Sequence, residues 1–155
     1  MVILKKVLII ANHIDWVHSL RKELIEELSK IYKVIVCIPD CESSFKLDYF
    51  KSIGVDFIFI NFDGRGKNPF KDIMIFINYF NVIKDLDPDV ILTYTIKPNV
   101  YGSIAGRLLK KKTIINVTGL GTGFHSNKVV KFIVKKLYSI GCKTSYHVFF
   151  RILTI

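Results

Sequence analysis

Thr93-Tyr94-Thr95-Ile96-Lys97-Pro98-Asn99-Val100-Tyr101-Gly102-Ser103 and Asn116-Val117-Thr118-Gly119-Leu120-Gly121-Thr122-Gly123-Phe124 decide how this chain is read. Each block follows an apolar, strand-like run, Val90 to Leu92 in the first case and Thr113 to Ile115 in the second. In a parallel α/β sheet the loops after the carboxyl ends of the strands are where ligands bind. Lys97 offers a cation there, while Asn99 and Ser103 offer hydrogen-bonding groups at the start of the next helix. Pro98 fixes the backbone of that first turn, whose free N–H groups suit an anion. Gly119, Gly121 and Gly123 let backbone N–H groups come close to an oxygen-rich ligand. Two polar, glycine-bearing loops on neighbouring strands make a site, where one alone would be a turn.

Outward from these blocks, β-branched runs alternate with helical patterns, the signature of βαβ units. Strands are expected at Lys6–Ala11, Lys33–Ile38, Asp56–Asn61, Asp89–Thr93, Thr113–Val117 and His147–Phe150. In the first helix Val17, Leu20, Leu24, Leu28 and Ile31 recur at core-facing spacing, and Asp15 is expected to cap it. A short helix near Lys46–Ser52 stops at Gly54. Asn68-Pro69 opens the next helix and Pro88 closes its exit; further helices are expected at Asn99–Leu109 and Lys128–Gly141. The expectation is one α/β domain, a Rossmann-like parallel sheet of about six strands with helices on both faces.

The chain has 155 residues, half of them hydrophobic and 23% charged, which places it among globular rather than disordered proteins. No apolar run reaches the roughly 18 residues of a spanning helix, and Met1 to Val7 runs into a strand without a signal-peptide layout. A cytoplasmic chain is expected. Cys37, Cys41 and Cys142 match no metal or redox spacing and read as free thiols. The net charge of +10 is unevenly placed. Residues 1–89 hold 12 basic and 13 acidic side chains, whereas residues 90–155 hold 11 basic and no acidic ones. A basic half suits an anionic partner, or belongs to a longer chain whose acidic part balances it. No recognition helix or RNA-binding motif appears, so nucleic acid is not expected.

Tyr94-Thr95-Ile96-Lys97-Pro98-Asn99-Val100-Tyr101-Gly102-Ser103 followed by Asn116 to Phe124 resembles the N-terminal half of family 4 glycosyltransferases of the GT-B fold. The similarity is to bacterial enzymes that build capsule, O-antigen or other glycans on a polyprenyl diphosphate carrier. Arg65, Asn68 and Pro69 fit that pattern, as do Asp15-Trp16 and Arg21, and the likeness covers roughly residues 5 to 150. It implies a glycosyltransferase 4-like N-terminal domain over 1–150, with a tail, 151–155, where a donor-binding half of similar size would begin. The tail Arg151-Ile152-Leu153-Thr154-Ile155 departs from the Phe-Phe-Gln-Asn-like continuation that the family leads one to expect.

The first turn, Ala11-Asn12-His13-Ile14-Asp15-Trp16, has no glycine, which argues against a dinucleotide site. By the resemblance it faces the interdomain cleft, making Asn12, His13 and Asp15 candidates for contact with donor phosphate or acceptor; His13 reads equally as a surface loop residue without a role. The substrate-binding set implied is Asn12, His13, Asp15, Arg65, Lys97, Asn99, Thr118, Gly119 and Gly121. No catalytic residue is assigned, and no Ser-His-Asp arrangement, HExxH or Cys/His cluster supports a hydrolase or a metal site. His18 on a helix and His147 at a strand start read as structural, and His125 stands beyond the glycine loop where it could meet a phosphate.

On a helical wheel Lys128, Lys131 and Lys135 share one side of the last helix, with Lys136 and Lys143 nearby and Phe132 among them. Val129, Val130, Ile133, Leu137 and Ile140 form the core-facing side. A basic face carrying an aromatic suits anionic lipid, or is a solvated face with one surface Phe. Taken together, the resemblance implies the acceptor-binding half of a metal-independent, retaining hexosyl- or N-acetylhexosaminyltransferase. The full enzyme would move a sugar from a nucleotide-sugar to a polyprenyl diphosphate-linked saccharide, peripheral on the inner face of the cell membrane. This half would bind no cofactor and would be inactive alone. The alternatives are a non-catalytic membrane-docking module that recruits a separate donor-binding half, and a truncated gene product.

Overall fold

A computed structural model of the chain describes residues 4–40, 45–61, 69–117 and 128–150. Strands β1 (Lys6–Ile10), β2 (Lys33–Pro39), β3 (Asp56–Ile60), β4 (Val90–Tyr94), β5 (Lys112–Val117) and β6 (His147–Phe150) alternate with helices. The helices are α1 (Ile14–Ser29), α2 (Phe45–Ser52), α3 (Pro69–Leu86), α4 (Ser103–Leu108) and α5 (Lys128–Thr144). All strand pairs are parallel, in the order β3-β2-β1-β4-β5-β6. Chain order therefore reverses between β1 and β4, where Ile10 lies beside Thr93. That reversal opens a crevice at the carboxyl edge.

Strands β1 and β2 are continuous apolar runs because both of their faces are covered. Val7, Ile9, Val34, Val36 and Ile38 pack under α1 and α2 with Ile14, Val17, Ile25, Leu47 and Phe50. Leu8, Ile10, Ile35, Cys37 and Ile91 pack on the opposite face with Ile75, Tyr79 and Ile83 of α3 and Ala105 of α4. Burial pushes the Cys37 thiol up to about 12, as befits a small core residue. Gly54 ends the turn after α2 at φ +84°, a conformation that favours glycine.

The strand expectations hold to within a residue or two at each end. Three helical details differ. His13, with extended backbone, caps α1 by accepting from the Asp15 amide at 3.2 Å, so the cap stands two residues earlier than Asp15. The buried stripe of α1 is Ile14, Val17 and Ile25, whereas Leu20, Leu24 and Ile31 are exposed. The reason is lateral. On the α1 side of the sheet, β4 to β6 have no covering helix among the described residues, and an apolar groove runs there. Leu24, Leu28 and Tyr32 of α1 form one wall of it, with Leu92, Ile114 and Phe149 on the sheet. In α5, Ile140 is exposed rather than core-facing, and Gly141 makes the close contact. A Cβ on Gly141 would stand 3.1 Å from the Asn99 carbonyl oxygen. The side chains of Val129, Val130, Ile133 and Leu137 lie outside the described residues.

Candidate functional site

Two turns meet at the crevice. After β1, Ala11 donates its amide to the Cys37 carbonyl and the chain bends through Asn12 into α1. After β4, Thr95 takes φ 74°, a left-handed conformation that costs a β-branched residue energy. The chain then enters a π-helical turn, Pro98–Gly102, rather than an α-helix, and only from Ser103 does α4 begin. Both features, a strained residue and a π turn, are frequent at ligand sites.

The side chains divide into those that hold the turns and those that border the crevice. Lys97 Nζ lies 2.9 Å from Asp72 Oδ1 of α3, and both side chains are largely buried. The charge expected to meet a ligand anion is therefore also a tie between the loop and α3. Tyr101 joins it: burial first, then Asp72, raises its phenol to about 12. Asn99 is fully buried. Its Nδ2 donates to the Asn116 carbonyl of β5 at 3.1 Å, and Tyr138 of α5 bonds the same side chain. Asn99 thus joins β5 and α5 under the loop rather than standing in the crevice. Ser103 is also buried, receiving a hydrogen bond from Thr144 at 3.0 Å.

Asp15 pairs with Lys46, which ties α1 to α2 and holds the Asp15 carboxyl below the usual carboxylate range. His13 is half exposed, its Nδ1 3.2 Å from Asp15 Oδ2. His18 is packed edge-on against Phe45, Tyr49 and Phe50, consistent with a structural role. Arg65, Thr118, Gly119 and Gly121 lie outside the described residues, as does His125. Of the α5 set, Phe132, Lys135 and Lys136 are exposed, and Lys136 Nζ sits 5.2 Å from the Phe132 ring centre. The side chains of Lys128 and Lys131 are outside the described residues. No helix among the described residues is long and apolar enough to cross a membrane.

Sequence reasoning missed the groups that line the crevice on the α1 side. Ala11, Trp16, Val17, Leu20, Tyr94 and Thr95 surround a small pocket there, and the Arg21 guanidinium lies 4.5 Å over the Tyr94 ring. Trp16, at 59% exposure, forms its rim. Asn12 Oδ1 and Thr95 Oγ1 are shielded from solvent and have no hydrogen-bond partner among the described residues. The signal in the sequence was Asp15-Trp16 with Arg21, whose pattern was visible without its purpose.

Residues 6–151 match the family described as Glycosyl transferase 4-like. The chain belongs to that family. Among curated proteins, this glycosyl transferase 4-like chain is 29% identical over 124 residues to one from Campylobacter jejuni. That protein is the N,N'-diacetylbacillosaminyl-diphospho-undecaprenol alpha-1,3-N-acetylgalactosaminyltransferase, and the match covers 76% of this chain and 32% of the relative. The chain thus spans about a third of the length of that relative. Among solved structures, Acinetobacter baumannii MurG aligns with TM-score 0.57 at 16% identity, over 96% of this chain and 42% of that one. A putative UDP-N-acetylglucosamine 2-epimerase from Listeria monocytogenes aligns with TM-score 0.66 at 15% identity, over 95% and 38%. At such identities the structural likeness establishes the fold alone. The glycosyl transferase 4-like domain seen here is a Rossmann-like half whose crevice lies between β1 and β4.

Proposed function

We propose that this chain is the acceptor-binding half of a glycosyltransferase. The full enzyme moves an N-acetylhexosaminyl or hexosyl unit, with retention and without metal, from a nucleotide-sugar to a polyprenyl diphosphate-linked saccharide. The observation that carries the reading is the family match across residues 6–151, joined to a relative whose stated acceptor is a diphospho-undecaprenol saccharide. On this reading the acceptor lies at the crevice between β1 and β4, with Asn12 and His13 in the turn after β1 and Lys97 in the turn after β4 as its candidate contacts. Donor chemistry needs both halves closed around the substrates, so this half alone binds acceptor without turning it over.

The exposed Phe132, Lys135 and Lys136 of α5 support a peripheral seat on an anionic membrane, where the lipid-linked acceptor resides. A second reading, a docking module for a separately encoded donor half, is favoured by one observation. Tyr146, just before the edge strand β6, and Phe149 and Phe150, on its two opposite faces, are exposed, apolar groups at an edge that suits a partner.

Sedimentation with vesicles tests the proposal. The 155-residue chain should bind vesicles carrying anionic lipid and polyprenyl diphosphate-N-acetylglucosamine and transfer no sugar from a nucleotide-sugar. Replacing both Lys135 and Lys136 with Glu should weaken binding by at least about fivefold per charge removed, from roughly 1 kcal/mol per lysine. Transfer by the chain alone would overturn its inactivity, and indifference to the saccharide-carrying lipid would overturn its role as the acceptor half.

A further inference from the structure

The pocket between α1 and the ends of β1 and β4 is small and mostly apolar. Its volume is about 20 Å³, and a cavity needs roughly 10–15 Å³ to hold one water-sized group. Its walls are the methyl and methylene groups of Ala11, Val17 and Leu20 and the Tyr94 ring. A methyl group fits such a space; a sugar hydroxyl placed there would be poorly solvated. The rim is different in kind. Trp16 presents its indole at 59% exposure, a large flat apolar surface beside a crevice otherwise edged by polar groups. Such a ring suits the C–H face of a pyranose. Thr95, which lines the pocket, and Asn12, next in sequence to the lining Ala11, carry buried oxygens, Oγ1 and Oδ1, without a hydrogen-bond partner among the described residues. Thr95 is held there by the left-handed backbone described above, at φ 74°.

A methyl-sized apolar pocket, an aromatic platform at its rim, and unpartnered oxygens on Thr95 and on Asn12 beside the lining Ala11 are the complement of an N-acetylated sugar. The methyl enters the pocket, the ring rests on Trp16, and the amide N–H and C=O find partners in Asn12 and Thr95. We propose that the Trp16–Leu20–Tyr94 pocket is the subsite that recognises the acetamido group of the acceptor's terminal sugar. The inference rests on the reading of this chain as an acceptor half and names which acceptors it selects: saccharides ending in an N-acetylated residue over those bearing a hydroxyl at that position. Arg21, stacked on Tyr94, is a positioning residue that fixes the pocket's inner wall.

Ligand-observed saturation-transfer NMR on the 155-residue chain tests this, with methyl N-acetyl-α-galactosaminide and methyl α-galactoside as matched compounds. The acetamido methyl should take up the most saturation, and the N-acetylated glycoside should bind at least about tenfold tighter, the discrimination that one buried methyl provides. Trp16 is the only tryptophan in the chain, so its fluorescence should respond to the N-acetylated compound and not to the other. Leu20→Phe, which fills the pocket from an exposed position, should abolish the preference, and Trp16→Ala should abolish binding of both sugars. Equal affinity for the two glycosides, saturation centred on ring protons, or no binding of either by the wild-type chain would each overturn the subsite. Failure here with saccharide-dependent vesicle binding intact would remove the pocket's role and leave the acceptor-half reading standing. Loss of both would remove the two together.

Discussion

Gly106 of α4 faces β5 so closely that an added Cβ would stand 2.2 Å from Thr113 Oγ1 and 3.2 Å from Ile91 Cδ1. Only a residue without a side chain lets the helix lie against the sheet at that spacing. Gly106→Ala should therefore destabilise the chain by about 1–3 kcal/mol, the usual cost of overpacking a core. Thr113→Ala in the same chain should recover part of that loss, since the two sites share one space. Chemical denaturation of the three variants decides it; an Ala at 106 that costs nothing would mean α4 is free to move outward. At this scale the sequence announces residue types but not their neighbours. Lys97 and Asn99 were legible as polar groups at a helix start. That one would pair with Asp72 and the other bridge β5 to α5 depends on contacts far along the chain, which no local pattern carries.

The elements themselves were far more legible, because parallel strands buried on both faces write themselves as apolar runs and glycine and proline punctuate them. The π-helical turn at Pro98–Gly102 left no such mark. Nor did the sequence reveal which edge of the α1 stripe is covered. Val17 and Leu28 belong to the apolar pattern beside Leu20 and Leu24, and a wheel cannot say where the neighbouring helix is missing. The structure does: the groove beside β4 to β6 leaves Leu24 partly in water while Ile25 is fully buried. Adjacent positions in one helix should thus respond oppositely to expectation. Ile25→Ala should cost about 2–5 kcal/mol, whereas Leu24→Glu should cost no more than about 0.5 kcal/mol, as surface changes do. Urea unfolding midpoints measure both. A large loss at position 24 would show that the groove is closed in solution.

At the scale of the whole molecule, two of the carboxylates that tie distant segments also have lowered pKa values. Asp15 meets Lys46 between α1 and α2, and Asp87 meets Lys111 at 2.5 Å between the end of α3 and the approach to β5. In each case the lysine's hydrogen bond is the leading cause that lowers the carboxyl pKa from its ordinary 3.8. A folded-state pKa below the unfolded one contributes stability that is fully present above 3.8 and disappears as pH falls through the lowered folded value. The stability penalty of Lys46→Met should accordingly be present at neutral pH and vanish in strong acid; Asp15 is half exposed to solvent, so the penalty is small. Equal penalties at both pH values would show that Lys46 acts through packing of its stem instead.

The order β3-β2-β1-β4 also has a consequence for how the chain is made. Strand β1 leaves the ribosome first, and β2 can pair with one of its sides soon afterwards. Its other side waits for β4, as the 83 residues between Lys6 and Asp89 show. At a synthesis rate of roughly 5–20 residues per second that wait is about 4 to 17 s. For that interval an apolar strand at the centre of the sheet presents an open edge, the kind that recruits stray strands. The site between β1 and β4 and the period of greatest danger to the nascent chain thus have one cause, the late arrival of β4.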